Sequence, residues 1–151
     1  MNNYKIPFRE TEDDIITEIL KKINLQPTDV FLDIGCGNGL VLEAVKKAHP
    51  EVQCIGIEID SRYYAEAAEH LKNYTKVRLY QADLRTFDWP ILAGLNIYYY
   101  MAWTKTYLNE FNFDQLPPGI LITYKHPILS KSYFEKIISA CPYNYVYFYL
   151  M

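Results

Sequence analysis

Cysteine is scarce in this chain, and its placement excludes two roles. Cys36, Cys54 and Cys141 are odd in number and show no metal-ligand spacing, so neither a disulfide framework nor a metal centre is expected. They read as reduced cysteines of a cytoplasmic protein. An excess of positive charge is also missing. Fifteen Lys and Arg stand against 18 Asp and Glu, a formal charge of −3. That removes the electrostatic reason to expect duplex nucleic acid, although a local basic patch is invisible to net charge. The longest uncharged run, residues 89–103, contains Pro90 and Asn96 and is too short to span a bilayer. The first ten residues lack the apolar core of a signal peptide. There is no low-complexity linker and no internal repeat, so residues 1–151 are expected to form a single domain. Half of the residues are apolar, which excludes disorder and supplies one sizeable core.

Glycine is sparse but concentrated. Of 6 glycines, three fall together at Gly35, Gly37 and Gly39. The apolar run Val30 to Ile34 delivers Asp33 to this turn, and a helical stretch over 40–48 follows. A strand feeding a glycine turn and then a helix is a ligand cradle. Glycine permits positive φ and close approach to a ligand, and a helix start offers free N–H groups. The dinucleotide fingerprint G-x-G-x-x-G would need its third glycine at Leu40; here it comes one residue earlier, at Gly39. Cys36, inside the turn, reads as a small filler residue, because no base is paired with it in sequence.

Two further acids follow in order. A buried-type strand over 52–59 ends in Glu58-Ile59-Asp60. An acid there, about 20 residues past the glycine turn, can accept both ribose hydroxyls of a nucleoside. A third short strand over 77–80 is followed by Asp83-Leu84.

Acid-x-G-x-G-x-G with acids after three successive strands resembles the class I S-adenosylmethionine (SAM) dependent methyltransferases over about residues 8–125. The resemblance implies SAM as cofactor. Asp33, Gly35, Cys36, Gly37 and Gly39 would then hold its amino-acid end, and Glu58 with Ile59 its ribose. Asp83 would take the adenine amino group, and the Leu84 amide a ring nitrogen. The fold implied is α/β and Rossmann-like, a mostly parallel seven-stranded sheet with helices on both faces and an antiparallel edge.

The residue pattern agrees with alternating strands and helices. Strands are expected at 29–34, 52–59, 77–80, 95–101 and 119–125. Thr11 is the natural N-cap of a helix over 12–23, whose stripe is Ile15, Ile16, Ile19, Leu20 and Ile23. After Ser61 a helix should bury Tyr63, Tyr64, Ala67, Ala68 and Leu71, with Asp60 or Ser61 as its cap. Another is expected near 104–116. Residues 143–150 are strongly β-prone, while 132–140 fit either a short helix or a strand paired with them.

The acceptor should sit beyond the fourth strand, which reads Asn96-Ile97-Tyr98-Tyr99-Tyr100-Met101-Ala102-Trp103. Adenine and glutamine amino-methyltransferases carry Asn/Asp-Pro-Pro-Tyr there; its lack counts against those substrates. Alternation turns either Tyr99 or the pair Tyr98 and Tyr100 to one face. The pair is favoured as an aromatic wall for the sulfonium, the alternative being packing under helices. His126 is a candidate base. A narrower resemblance, to small archaeal and mitochondrial protein-lysine methyltransferases, rests on size, residues 8–11 and the hairpin-like end. It would use Thr11 to close over SAM, with Glu12, Ile34 and Asn38 departing from that pattern. A protein lysine is therefore the expected acceptor. The alternatives are an RNA base, a small molecule, or a SAM-binding domain that transfers nothing. A basic stripe on the site rim would favour RNA, and one exposed tyrosine patch a scaffold.

Overall fold

The computed structural model describes residues 11–138 and 145–151. Their centre is a seven-stranded sheet of order β3-β2-β1-β4-β5-β7-β6. The strands are β1 Asp29–Ile34, β2 Gln53–Glu58, β3 Val77–Gln81, β4 Asn96–Met101, β5 Gly119–Tyr124, β6 Glu135–Ile138 and β7 Tyr145–Leu150. The first five are parallel, and β7 runs antiparallel to both β5 and β6. Four helices are described: α1 Asp13–Ile23, α2 Leu40–Ala48, α3 Ser61–Leu71 and α4 Lys105–Glu110. This is the class I methyltransferase architecture with its antiparallel edge.

Strand alternation sorts the core into two layers. Leu32, Ile34, Ile57, Tyr99, Met101, Leu121 and Tyr149 face the side covered by α4 and by 3-10 turns at Trp89–Leu92 and Phe113–Gln115. Phe31, Cys54, Tyr100, Ile122 and Phe148 face α1, α2 and α3. Each fully buried Leu, Ile or Phe contributes about 1.5–3 kcal/mol. Because β2 and β4 flank β1, the chain reverses its winding there, and the crevice at the carboxyl ends of β1 and β4 is the switch point where such sheets take ligands.

The ends of several elements differ from expectation. Glu12, not Thr11, occupies the N-cap of α1 and makes no side-chain cap bond; the Thr11 hydroxyl is 2.6 Å from that of Tyr100 instead. The α1 stripe buries Ile15, Ile16, Ile19 and Ile23 as expected. Asp60 caps α3, accepting from the Arg62 and Tyr63 amides. Only Ala67 and Leu71 of that helix are buried, while Ala68 is exposed, because α3 covers the sheet's β2–β3 end and has no further layer above it. The helix expected to 116 stops at Glu110. Phe111 turns extended and places its ring 5.2 Å from Trp103 and 5.9 Å from Trp89, so aromatic packing ends the helix. Within 132–140 the chain forms strand β6, not a helix; residues 139–144 lie outside the described residues.

Candidate active site

The glycine turn is held in shape before any ligand contact. Gly35, Gly37 and Gly39 all have positive φ, at 80°, 54° and 82°. The amides of Gly35 and Cys36 both donate to the Ile57 carbonyl, at 2.9 and 3.0 Å, which fastens the turn to β2. Gly39 serves packing as well. A Cβ there would stand 3.0 Å from the Ala67 Cβ, so this glycine lets α2 and α3 approach. The Cys36 sulfur lies against Gly56 of β2, where a Cβ would come within 2.8 Å of it. Burial first, and then the Asp33 and Glu58 carboxylates, push the Cys36 thiol well up. It stays a neutral thiol, in keeping with its reading as a filler.

Glu58 spans the turn. Its Oε1 accepts from the Gly37 amide at 2.8 Å and its Oε2 from the Asp60 amide at 2.9 Å. Both oxygens keep a lone pair for a further donor. Asp33 is only 4% exposed. No hydrogen-bond donor among the described residues meets its carboxyl, and burial, then Glu58, raise it well above its ordinary value. A buried acid with no partner among the described residues, beside three left-handed glycines, fits a cationic ligand; this is the fit expected for the amino-acid end of SAM.

Across the crevice, Tyr100 stands opposite Asp33 in the β1–β4 register and carries Thr11 on its hydroxyl. Tyr124, at the end of β5, donates to the Glu12 carboxylate. Two tyrosine hydroxyls thus pin the segment before α1 to the ends of β4 and β5. Thr11, Asp33 and Tyr100 come together at the switch point. Tyr98 does not join them. Its hydroxyl donates to the Ile23 carbonyl at 3.2 Å, at the far end of α1. Of the pair expected as a wall, only Tyr100 lies beside Asp33, and at 1% exposure it packs in the core layer under α1, the alternative to an exposed wall. Tyr99 faces the opposite layer and donates to the Pro117 carbonyl at 2.8 Å. His126 follows β5, and its carbonyl accepts from the Thr123 hydroxyl at 2.9 Å.

On the other flank, Asp83 pairs with Arg85, which donates from Nε at 3.2 Å and from Nη2 at 2.7 Å. Leu84 is buried, its carbonyl accepting from the Trp89 indole at 3.3 Å. Ile59 sits between Glu58 and the α3 cap.

Trp103 is the residue that sequence reading missed. Its indole N–H donates to the Ile34 carbonyl at 2.7 Å, and it lies 3.1 Å from where a Gly35 Cβ would be. It therefore supports the glycine turn from beneath, at the position just past β4. Its signal was available: an aromatic directly after the strand beside the turn. The Arg85 pairing has no comparable signal.

Comparison with known proteins places the chain in a family. The ribosomal RNA adenine dimethylase family matches residues 3–104. An rRNA adenine N-6-methyltransferase of Escherichia coli is 32% identical over 80 residues, covering 53% of this chain and 32% of that protein. A ribosomal RNA small subunit methyltransferase A of Dehalococcoides mccartyi is 24% identical over 128 residues, covering 81% and 43%. The chain thus spans a third to under half the length of these relatives. An RNA methyltransferase from Salinibacter ruber, solved with S-adenosyl-L-homocysteine, superposes with a TM-score of 0.80 at 19% identity, covering 94% of this chain and 93% of that one. The narrower resemblance to protein-lysine methyltransferases finds no support in these comparisons. An antiparallel end belongs to the fold, and a fold does not mark an acceptor. The chain belongs to the ribosomal RNA adenine dimethylase family, and through it to the class I SAM-dependent methyltransferases.

Proposed function

We propose that this protein transfers a methyl group from SAM to a base amino group of RNA, with adenine N6 as the acceptor. The observation that carries this reading is the family match over residues 3–104, which takes in the glycine turn, Glu58, Asp83 and β4. SAM supplies an electrophilic methyl on a sulfonium. Asp33 takes the ammonium of the amino-acid end, and the glycine turn, with no side chains at Gly35, Gly37 and Gly39, leaves room for it to approach the backbone. Glu58, already aimed by the Gly37 and Asp60 amides, takes the ribose hydroxyls. Asp83 and the Leu84 amide read the adenine, with Arg85 fixing the Asp83 carboxylate. Alignment and exclusion of water do most of the work in methyl transfer. Thr11, held by the buried Tyr100 hydroxyl, borders the acceptor side of the crevice. In this reading residues 1–151 serve as the methyl-transfer domain of a cytoplasmic enzyme.

One observation favours a second reading. The chain after β4 reads Ala102-Trp103-Thr104, without Asn-Pro-Pro-Tyr. Trp103 points under the glycine turn, and residues 102–104 carry no side-chain amide to accept from an adenine amino group. The second reading is a domain that binds SAM without transferring its methyl.

Labelled methyl-SAM incubated with ribosomal subunits, deproteinised rRNA and bulk protein separates the two. Label recovered as N6-methyladenine after nuclease digestion is the expected result. Label in protein would overturn the RNA reading. Tight S-adenosylhomocysteine binding with no label in any fraction would establish the second.

A further inference from the structure

The chain's charge is divided unevenly. Residues 1–118 carry 12 Lys and Arg against 17 acids, whereas residues 119–151 carry three lysines and one acid, Glu135. That single acid is paired with Lys22 at 2.6 Å. The basic lysines therefore belong to the antiparallel end of the sheet, where tyrosine is also concentrated. Lys136 of β6 holds its Nζ 4.3 Å from the Tyr145 ring centroid and 5.7 Å from that of Tyr147. No carboxylate pairs with it among the described residues. Tyr133 packs edge-on to Tyr147 at 5.1 Å and is itself 45% exposed. Lys131, two residues before it, holds its Nζ 3.3 Å from the exposed Asp114 carboxylate. The strip leads to the crevice, because the amide of Lys125, directly after β5, donates to the Tyr145 carbonyl at 2.7 Å. The connection from β5 to β6 carries no helix, so nothing among the described residues lies over Tyr133 and Lys136.

We infer that this strip, from Lys131 and Tyr133 through Lys136 to Tyr145 and Lys125, docks the single-stranded RNA that flanks the target base. An exposed ring, Tyr133, near a cation, Lys136, that lies over the half-buried Tyr145 suits a chain of phosphates and unpaired bases: the lysine meets the backbone, and the ring stacks a base without regard to sequence. An acidic protein surface would match the lysines but would leave the ring faces without planar partners. The inference rests on the RNA reading of the crevice and adds where the rest of the substrate runs.

The test is fluorescence anisotropy of the full chain with a labelled single-stranded oligoribonucleotide, titrated at several salt concentrations, with polyglutamate as a competing polyanion. Lys136→Gln should weaken binding several-fold and lower the salt slope by about 0.7, the share of one phosphate contact on a single strand. Tyr133→Ser should weaken it by about tenfold through a lost stack, with little change in slope. Lys21→Gln, on the exposed last turn of α1, should do neither. All three should keep the wild-type thermal shift with S-adenosylhomocysteine, which shows that the fold and the cofactor crevice are intact. If wild type binds the RNA and both strip variants bind it equally well, the strip is not the track, and the RNA reading stands. If wild type binds no RNA while keeping its cofactor shift, the RNA reading itself falls. If polyglutamate competes as strongly as unlabelled RNA, the strip is a general anion surface and the inference is overturned.

Discussion

Glu58 accepts a hydrogen bond from the Gly37 amide at 2.8 Å, so the acid expected to read a ribose also holds the glycine turn closed. With the Asp60 amide on its other oxygen, it ties β1's turn to the start of α3. Sequence alone suggests that Glu58→Ala leaves the unliganded fold untouched. The geometry predicts otherwise. Two amides lose an anionic acceptor, and water replaces it only partly because Glu58 is half-buried. A loss of about 1–3 kcal/mol corresponds to a melting shift of roughly 3–10 °C at this size. SAM affinity should fall as well, by at least about tenfold. Glu58→Gln should recover part of the stability and little of the affinity. Thermal melts with and without S-adenosylhomocysteine check both; an unchanged unliganded melt would show that the clip carries no weight.

Trp103 offers a cleaner separation of fold from chemistry. Its indole satisfies the Ile34 carbonyl at 2.7 Å beneath the turn. Trp103→Phe keeps an aromatic side chain, though a smaller one, and leaves that buried carbonyl unmet, at a cost of at least about 1–3 kcal/mol. Gly35→Ala attacks the same spot from above. A side chain at φ 80° is strained, and its Cβ would meet the Trp103 Nε1 at 3.1 Å. The double variant should lose less than the two singles combined, because removing the indole N–H makes room for the methyl. Denaturant unfolding of the four proteins measures the coupling; strict additivity would mean that the two groups do not press on each other.

These two cases show where sequence is readable. The glycine turn, Asp33, Glu58 and Asp83 follow from local rules: strand, positive-φ turn, acid at a strand end. Local rules also order the strands and give the α1 stripe. They do not show what a polar group touches across the fold. Thr11 looks like a cap because caps are local, yet its hydroxyl goes to Tyr100, 89 positions away. Tyr98 and Tyr100 share a face by alternation, but only depth along the strand decides that Tyr98 reaches the Ile23 carbonyl while Tyr100 stands by Asp33. The helix expected to 116 fails for a similar reason. Phe111 is worth more among Trp89, Trp103 and Phe113 than in another helical turn.

Tyr100 and Thr11 form a pair that can be tested as one. Their hydroxyls are 2.6 Å apart, and burial pushes the Tyr100 phenol well up, so it remains neutral. Tyr100→Phe should cost about 0.5–1.5 kcal/mol of stability. Thr11→Val should cost a similar amount, and the double variant no more than either single, since one bond is lost in all three. If Tyr100 walls the acceptor, Phe should keep turnover on a confirmed substrate and Ala should lower kcat more than it weakens SAM. A damaged Phe variant with normal SAM affinity would instead give the hydroxyl a direct part in placing the acceptor.

Asp33 sets the pH dependence. Burial, and then the Glu58 carboxylate, hold its carboxyl well above the ordinary 3.8. Between 3.8 and that raised value the folded chain keeps a proton that the unfolded chain has released. Its contribution to stability is therefore full below the unfolded value and is lost as pH rises through the folded one. Asp33→Asn should remove this decline and leave the variant more stable than wild type near neutral pH. A cationic ligand acts in the opposite sense. Positive charge beside Asp33 favours the carboxylate, so SAM affinity should rise with pH across the same window, and binding should expel a proton. Calorimetry at one pH in two buffers of different ionisation enthalpy counts that proton directly. Wild type should release a proton count that falls toward zero as pH passes the raised value, and Asp33→Asn should release almost none. Equal counts in the two proteins would mean that Asp33 is already ionised in the free crevice, and that the buried acid is neutralised by a partner rather than waiting for the ligand.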